Sequence, residues 1–138
     1  MANYDSDVAL ISSALDLTAA RESSGAGAIV QFLGDVRPLE NGRQIEGIEY
    51  QAHRQMAEHQ LQKIADEAAE RFGLLAIRLH HRLGFVAVGE TSLFLRVEAV
   101  HRGAAFDASR WIVDELKKRV PIWKSIRSER AQKSAMLA

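Results

Sequence analysis

The chain of 138 residues contains no cysteine. That excludes disulfides, thiolate metal sites and a cysteine nucleophile; any sulfur chemistry here would need sulfur carried in by another molecule. Tyrosine and tryptophan number two each, which leaves little surface for stacking nucleic-acid bases. Charge of one sign is also missing: 18 Lys and Arg balance 18 Asp and Glu. Generic nucleic-acid or membrane binding usually needs a basic excess, so neither partner is expected. No long apolar run exists. The longest uncharged stretch, residues 23–34, is too short and too glycine-rich to span a bilayer. The first residues, Met-Ala-Asn-Tyr-Asp-Ser-Asp, are acidic and lack the apolar core of a signal peptide. A cytoplasmic location follows as the expectation.

What is present suits one globular domain over residues 1–138, with 47% apolar and 26% charged residues. No repeat, linker or low-complexity tract interrupts it. Residues 5–20 alternate weakly and read as a short strand or a helical turn. Residues 25–33 read as a strand with Ala26, Ala28, Val30 and Phe32 on one face. Gly34 to Pro38 ends it, and Glu40-Asn41-Gly42-Arg43 is a turn. A strand resumes over 45–51. Leu61, Ile64, Ala65, Ala68 and Phe72 recur at helical spacing, so 54–72 is a helix that Gly73 ends. Leu75, Ile77 and Leu79 alternate as a strand, residues 84–89 form a turn or short strand, and Leu93, Leu95, Val97 and Ala99 mark a longer strand. A second helix runs over 104–119 and stops at Pro121. Strands interleaved with two good helices predict an α+β or α/β sandwich, with two main helices packed on a mixed sheet.

The last third carries the chemistry-bearing residues. At about 100° per residue, Ala105, Phe106, Ala108, Ile112, Val113 and Leu116 fill one apolar arc of the second helix. Lys117 falls roughly 20° from Phe106, at the edge of that arc. Lys118 projects from the opposite side, near Asp114, as a solvated lysine. Desolvation and nearby cations at the arc's edge would lower the pKa of Lys117 and fit it for acid, base or nucleophilic work. Helix geometry alone favours the plainer alternative, a lysine whose stem snorkels along apolar surface. Lys124 follows seven positions later, beyond Pro121. Whether it converges on Lys117 depends on the turn at Val120-Pro121-Ile122-Trp123, which periodicity leaves open.

Three His-Arg pairs occur: His53-Arg54, His81-Arg82 and His101-Arg102. The third is the best anion-site candidate because it ends a strand and precedes a helix; a backbone-bonded loop pair is the equal alternative. Arg37 sits just past a strand, where a planar guanidinium would suit phosphate or simply be solvated. His80 and His81 suggest metal, but strand neighbours point to opposite faces, so a structural role is preferred and no metal or cofactor is expected. Phosphate-loop, dinucleotide and nucleophile-elbow motifs are all absent.

Taken together these segments resemble the catalytic (large) subunit family of molybdopterin synthase. The matching stretches are Gly27-Ala-Ile-Val-Gln-Phe32-Leu-Gly34-Asp-Val-Arg37, Ile48-Glu-Tyr50, His81-Arg82-Leu-Gly84, Val88-Gly-Glu90, His101-Arg102-Gly-Ala-Ala-Phe106, and Asp114-Glu-Leu-Lys117-Lys-Arg-Val-Pro121-Ile-Trp-Lys124. They cover residues 25–124 in order and spacing. The resemblance implies an α/β hammerhead-type fold. It implies a sulfurtransferase of molybdenum-cofactor biosynthesis that turns cyclic pyranopterin monophosphate into molybdopterin by installing a dithiolene. It implies a small ubiquitin-like sulfur carrier whose C-terminal Gly-Gly thiocarboxylate enters the pocket. It also implies a central homodimer, a heterotetramer once two carriers bind.

Through the same resemblance Lys117 and Lys124 match the family's two essential lysines. Arg37, His101 and Arg102 match anion-binding positions, the latter two reaching the pocket from the neighbouring protomer. Phe32 and Val113 match positions lining the carrier tail's path, Val113 standing where methionine is common. After Lys124 the chain departs: Ile126 replaces a usual acidic residue, and the family's terminal glycine–tryptophan segment is absent from 125–138. A non-catalytic relative that dimerises and binds the carrier without turnover is the alternative this departure raises.

Overall fold

The computed structural model describes residues 3–18 and 24–128. In chain order it forms β1 (Asp5–Ile11), β2 (Ala28–Asp35), β3 (Leu39–Glu40), β4 (Arg43–Gln44), β5 (Gly47–Ala52), α1 (Arg54–Phe72), β6 (Ala76–Arg82), β7 (Gly84–Ala87), β8 (Thr91–Ala99), α2 (Arg102–Arg119) and β9 (Ile122–Arg127). Four strands form a mixed sheet in the order β1-β6-β8-β2, with β1 parallel to β6 and the other pairs antiparallel. Three more form an antiparallel sheet, β7-β5-β9. Between β2 and β5 the chain makes a small hairpin, β3–β4. Its two-residue loop, Asn41-Gly42, has both φ values positive (51° and 77°), the geometry that twists with the flanking strands.

Both helices lie on one face of the mixed sheet, α1 over β1 and β6, α2 over β8 and β2. The expected bounds of α1 hold. Ala57, Leu61, Ile64, Ala65, Ala68 and Ala69 are buried, and Gly73 (φ 65°) closes the helix by donating its N–H to the Ala69 carbonyl. Between the layers, Ile77, Leu79, Leu95, Val97 and Ile112 are at most 1% exposed. Each such side chain contributes about 1.5–3 kcal/mol by leaving water. The sheet's other face is also occluded at its centre. There His80 meets Asp7 (2.9 Å), and Arg96 meets Glu98 (3.3 Å). Arg78 lies 3.4 Å from Asp7 and over the Phe94 ring. Burial of the Arg78, Arg96 and Glu98 charges is tolerable because each has an opposite charge beside it.

Several expectations are corrected. Residues 5–11 settle as a strand. β2 starts at Ala28 rather than 25 and runs through Gly34 to Asp35, because β8 pairs with it to Thr91. β5 is displaced by two residues at its start and one at its end, to Gly47–Ala52. β6 extends to Arg82, and α2 begins at Arg102, making His101 its extended N-cap (φ −127°, ψ 154°). Phe106, counted in the apolar arc of α2, is 61% exposed; Ser109 is buried instead, donating to the Ala105 carbonyl at 2.7 Å. Lys118 is solvated as expected, its ammonium 3.5 Å from Glu115. The largest omission is β9. Proline disfavours helical geometry in the residue before it, so Val120 is extended (φ −93°, ψ 126°) and the chain turns back along β5.

Candidate active site

That reversal brings the two lysines to one place. A cavity of about 550 Å³ opens between α2, the end of β2 and the β5–β9 ladder. Lys117, from the last turn of α2, and Lys124, from β9, both line it. So do Arg37, just past β2, and the apolar Phe32, Val113, Leu116 and Ile122. The β5–β9 register sets Lys124 directly opposite Tyr50, on the inward face with Ile48 and Ile122. Trp123 therefore faces outward and is 60% exposed.

Charge is distributed unevenly around this space. Both lysines are exposed to the cavity, with no ion pair to any described residue, whereas Lys118 and Arg119 are paired with acids away from it. Arg119 reaches Glu67 on α1 at 2.6 Å, and that hydrogen bond holds the Glu67 carboxyl below its usual range. Two carboxylates do line the cavity, but each is engaged. Asp35 accepts from the Thr91 hydroxyl (2.6 Å), and Glu40 accepts from Arg37 (3.3 Å). Three cations, Lys117, Lys124 and Arg37, face two carboxylates, so the recess is net positive beside an apolar wall, an arrangement that can take an anion next to two amines.

The expected site residues thus fall in two groups. Lys117, Lys124, Arg37, Phe32 and Val113 converge on the cavity. His101 and Arg102 do not; they stand exposed at the N-terminus of α2, at the opposite end of that helix from Lys117. Sequence reasoning overlooked Tyr50, Ser92 and Asp35 as lining residues and set His81 aside as structural. His81 is 6% exposed and packs edge-on to Tyr50, with ring centroids 5.1 Å apart. Burial pushes its pKa below the ordinary histidine value. Tyr50 donates to the Ser92 hydroxyl (3.3 Å), which donates to the Gly34 carbonyl (3.1 Å). Among the described residues no group of three or more His, Cys, Asp or Glu could hold a metal ion, and no helix is long and apolar enough to cross a membrane.

Fold and cavity define a class: an α+β domain with two helices on a mixed sheet and a cleft lined by two lysines and an arginine at the seam with a second sheet. Within that class the chain belongs to the MoaE family, whose model, described as MoaE protein, matches residues 7–119. A molybdopterin synthase catalytic subunit from Pyrococcus abyssi is 46% identical over 102 residues, 74% of this chain and 69% of the relative. One from Thermoplasma volcanium is 41% identical over 110 residues, 80% of each chain. The crystal structure of molybdopterin synthase from Staphylococcus aureus superposes with a TM-score of 0.78 at 29% identity, covering 87% of this chain and 90% of that one. A complex of subunits 1 and 2 of the Helicobacter pylori molybdopterin-converting factor shares the fold at 24% identity and a TM-score of 0.71. Lys124 lies beyond the matched segment, in β9.

Proposed function

We propose that the cavity is where this chain acts as a molybdopterin synthase catalytic subunit, converting cyclic pyranopterin monophosphate to molybdopterin. The observation that carries the reading is the convergence of Lys117, Lys124 and Arg37 on one recess in a chain that has no cysteine. A dithiolene needs sulfur, and here sulfur enters on the C-terminal thiocarboxylate of a small ubiquitin-like carrier. Arg37 neutralises the substrate phosphate. Lys117, at the junction of apolar and polar wall, moves the proton or engages the carrier's acyl end. Lys124, across from Tyr50, holds the pterin or the thiocarboxylate. Phe32 and Val113 line the path of the carrier's tail. The test is a reconstituted assay with thiocarboxylated carrier. Dithiolene formation by the wild type, lost in Lys117→Ala with the fold intact, supports the reading; carrier binding without product even in the wild type overturns it in favour of a non-catalytic relative.

The second protomer enters through His101 and Arg102. β2 is an edge strand of the mixed sheet, and it exposes Ile29, Phe32 and Leu33. Such an edge is a template for pairing with another chain. A two-fold antiparallel pairing of β2 with its copy, centred on Gln31 or Phe32, has a consequence fixed by register. Ala99 pairs with Ala28, so His101, two residues further on, reaches the level of Arg37 in the other protomer. The helix faces lie on the same side, and the lateral separation is two strand spacings, about 10 Å. His101 and Arg102 then complete the anion site in trans, in a homodimer that binds one carrier on each side.

A further inference from the structure

Among the polar groups lining the cavity that the proposed function leaves unused, His81 stands apart as a buried neutral ring. The cavity's cations donate hydrogen bonds only. The hydroxyl protons of Tyr50 and Ser92 are committed to Ser92 and to the Gly34 carbonyl. Its carboxylates, Asp35 and Glu40, already accept from Thr91 and Arg37 and are charged acceptors. His81 remains. Its Nδ1 lies 2.8 Å from the Arg82 carbonyl oxygen, which can only accept, so Nδ1 carries the proton and Nε2 carries the lone pair. Nε2 has no hydrogen-bond partner among the described residues, yet it is not among the sealed, unpartnered polar atoms there, which are Arg78 Nε, His80 Nδ1 and Arg82 Nε. The open space this buried ring borders is the cavity. Tyr50, edge-on to the imidazole, and the Arg82 carbonyl fix its orientation. Low exposure keeps it neutral near pH 7.

A neutral acceptor held in a recess of cations calls for a ligand with two chemically different ends. Arg37, Lys117 and Lys124 are exposed at its walls and take the charged end. The buried His81 takes a donor. We infer that His81 is a substrate-contacting residue, its Nε2 accepting a hydrogen bond from an N–H of the substrate's fused nitrogen heterocycle and so orienting the ring while the cations hold the phosphate. This rests on the proposed function and names the group that recognises the uncharged half of that substrate.

The test uses the full chain with its carrier and three readouts: KM for cyclic pyranopterin monophosphate, inhibition by inorganic phosphate, and carrier affinity. His81→Phe keeps a planar ring and removes the acceptor. KM is expected to rise about tenfold, the effect of leaving a ligand donor unpaired, with single-turnover rate at saturation, phosphate inhibition and carrier affinity unchanged. His81→Gln, whose amide oxygen reaches the position of Nε2, recovers most of the loss. Thermal melting of each variant controls for folding. An unchanged KM in His81→Phe overturns the inference, as does an equal loss of phosphate inhibition, which would mean a collapsed wall. Weakened carrier affinity with unchanged KM overturns it too, by assigning the donor to the carrier's peptide. Absence of product from the wild type is a different failure, that of the proposed function itself.

Discussion

Lys124 stands directly across the β5–β9 ladder from Tyr50, whose hydroxyl is tied through Ser92 to the Gly34 carbonyl of β2. One amine of the site is thus referenced, through two strands and two hydrogen bonds, to the strand that precedes Arg37. Tyr50→Phe removes the first bond while keeping the ring against His81. A cost of about 0.5–1.5 kcal/mol in stability is expected, with a measurable rise in KM, checked by denaturant titration and steady-state kinetics.

The two lysines should fail differently. Lys117→Ala is expected to lower turnover by about 100-fold or more, the range removed with a proton-transferring or nucleophilic group. Lys117→Arg keeps the charge but cannot give up a proton near neutrality, so it should bind substrate and still not turn over. Lys124→Ala should act mainly on KM, by about tenfold. Single-turnover and steady-state measurements on the reconstituted complex separate these outcomes.

Completion of the site by a second protomer is open to complementation. Lys117→Ala and His101→Ala are each expected to be inactive as homodimers. In a mixed dimer one site carries both substitutions and the other carries neither, so activity reappears. Mixing and refolding the two variants should restore part of wild-type turnover. A mixture as inactive as its parents would put His101 in its own protomer's site or outside any site.

Buried His81 makes stability depend on pH. Its folded pKa lies below the ordinary value of about 6.5, so between the two the unfolded chain holds a proton that the folded chain does not. Each step down in pH through that window favours unfolding, and the penalty fades above about pH 6.5. The melting temperature of the wild type should drop more between pH 7.5 and pH 5.5 than that of His81→Gln. Comparing the two cancels the other four histidines.

Core and surface are separable on a single helix. Leu61 is 0% exposed and Met56 is 52% exposed, both on α1. Leu61→Ala should cost about 2–5 kcal/mol through the cavity it leaves, and Met56→Ala should stay within about 0.5 kcal/mol. Chemical denaturation reads both.

The helices were legible in the sequence because their signals are local. Leu61, Ile64, Ala65, Ala68 and Phe72 repeat at helical spacing before a glycine that only had to adopt a left-handed cap. The strand after Pro121 was not legible. Of its residues only Ile122 is half-buried, so Trp123 to Arg127 present no alternation of buried and exposed positions. Its partner β5 lies far back in the chain, and no local pattern encodes such pairing. The lysines could therefore be named from family likeness, but their meeting could not be derived. That His81 lines the cavity was not legible for a related reason. Alternation shows that it faces away from His80 but not what lies on that side, and the cavity there is assembled from β2, β5, β6, β8, α2 and β9.

Strand β9 is bonded to β5 on one side and lies at the margin of its sheet. Lys117 rides on a helix clamped against the main core, while Lys124 rides on this single ladder. Peeling β9 away would swing one amine out and widen the recess without melting the helices, an excursion far less costly than global unfolding. Amide exchange along 122–127 should outpace that of β8, and a ligand that bridges the two ammonium groups would slow it, acting as a staple across the seam.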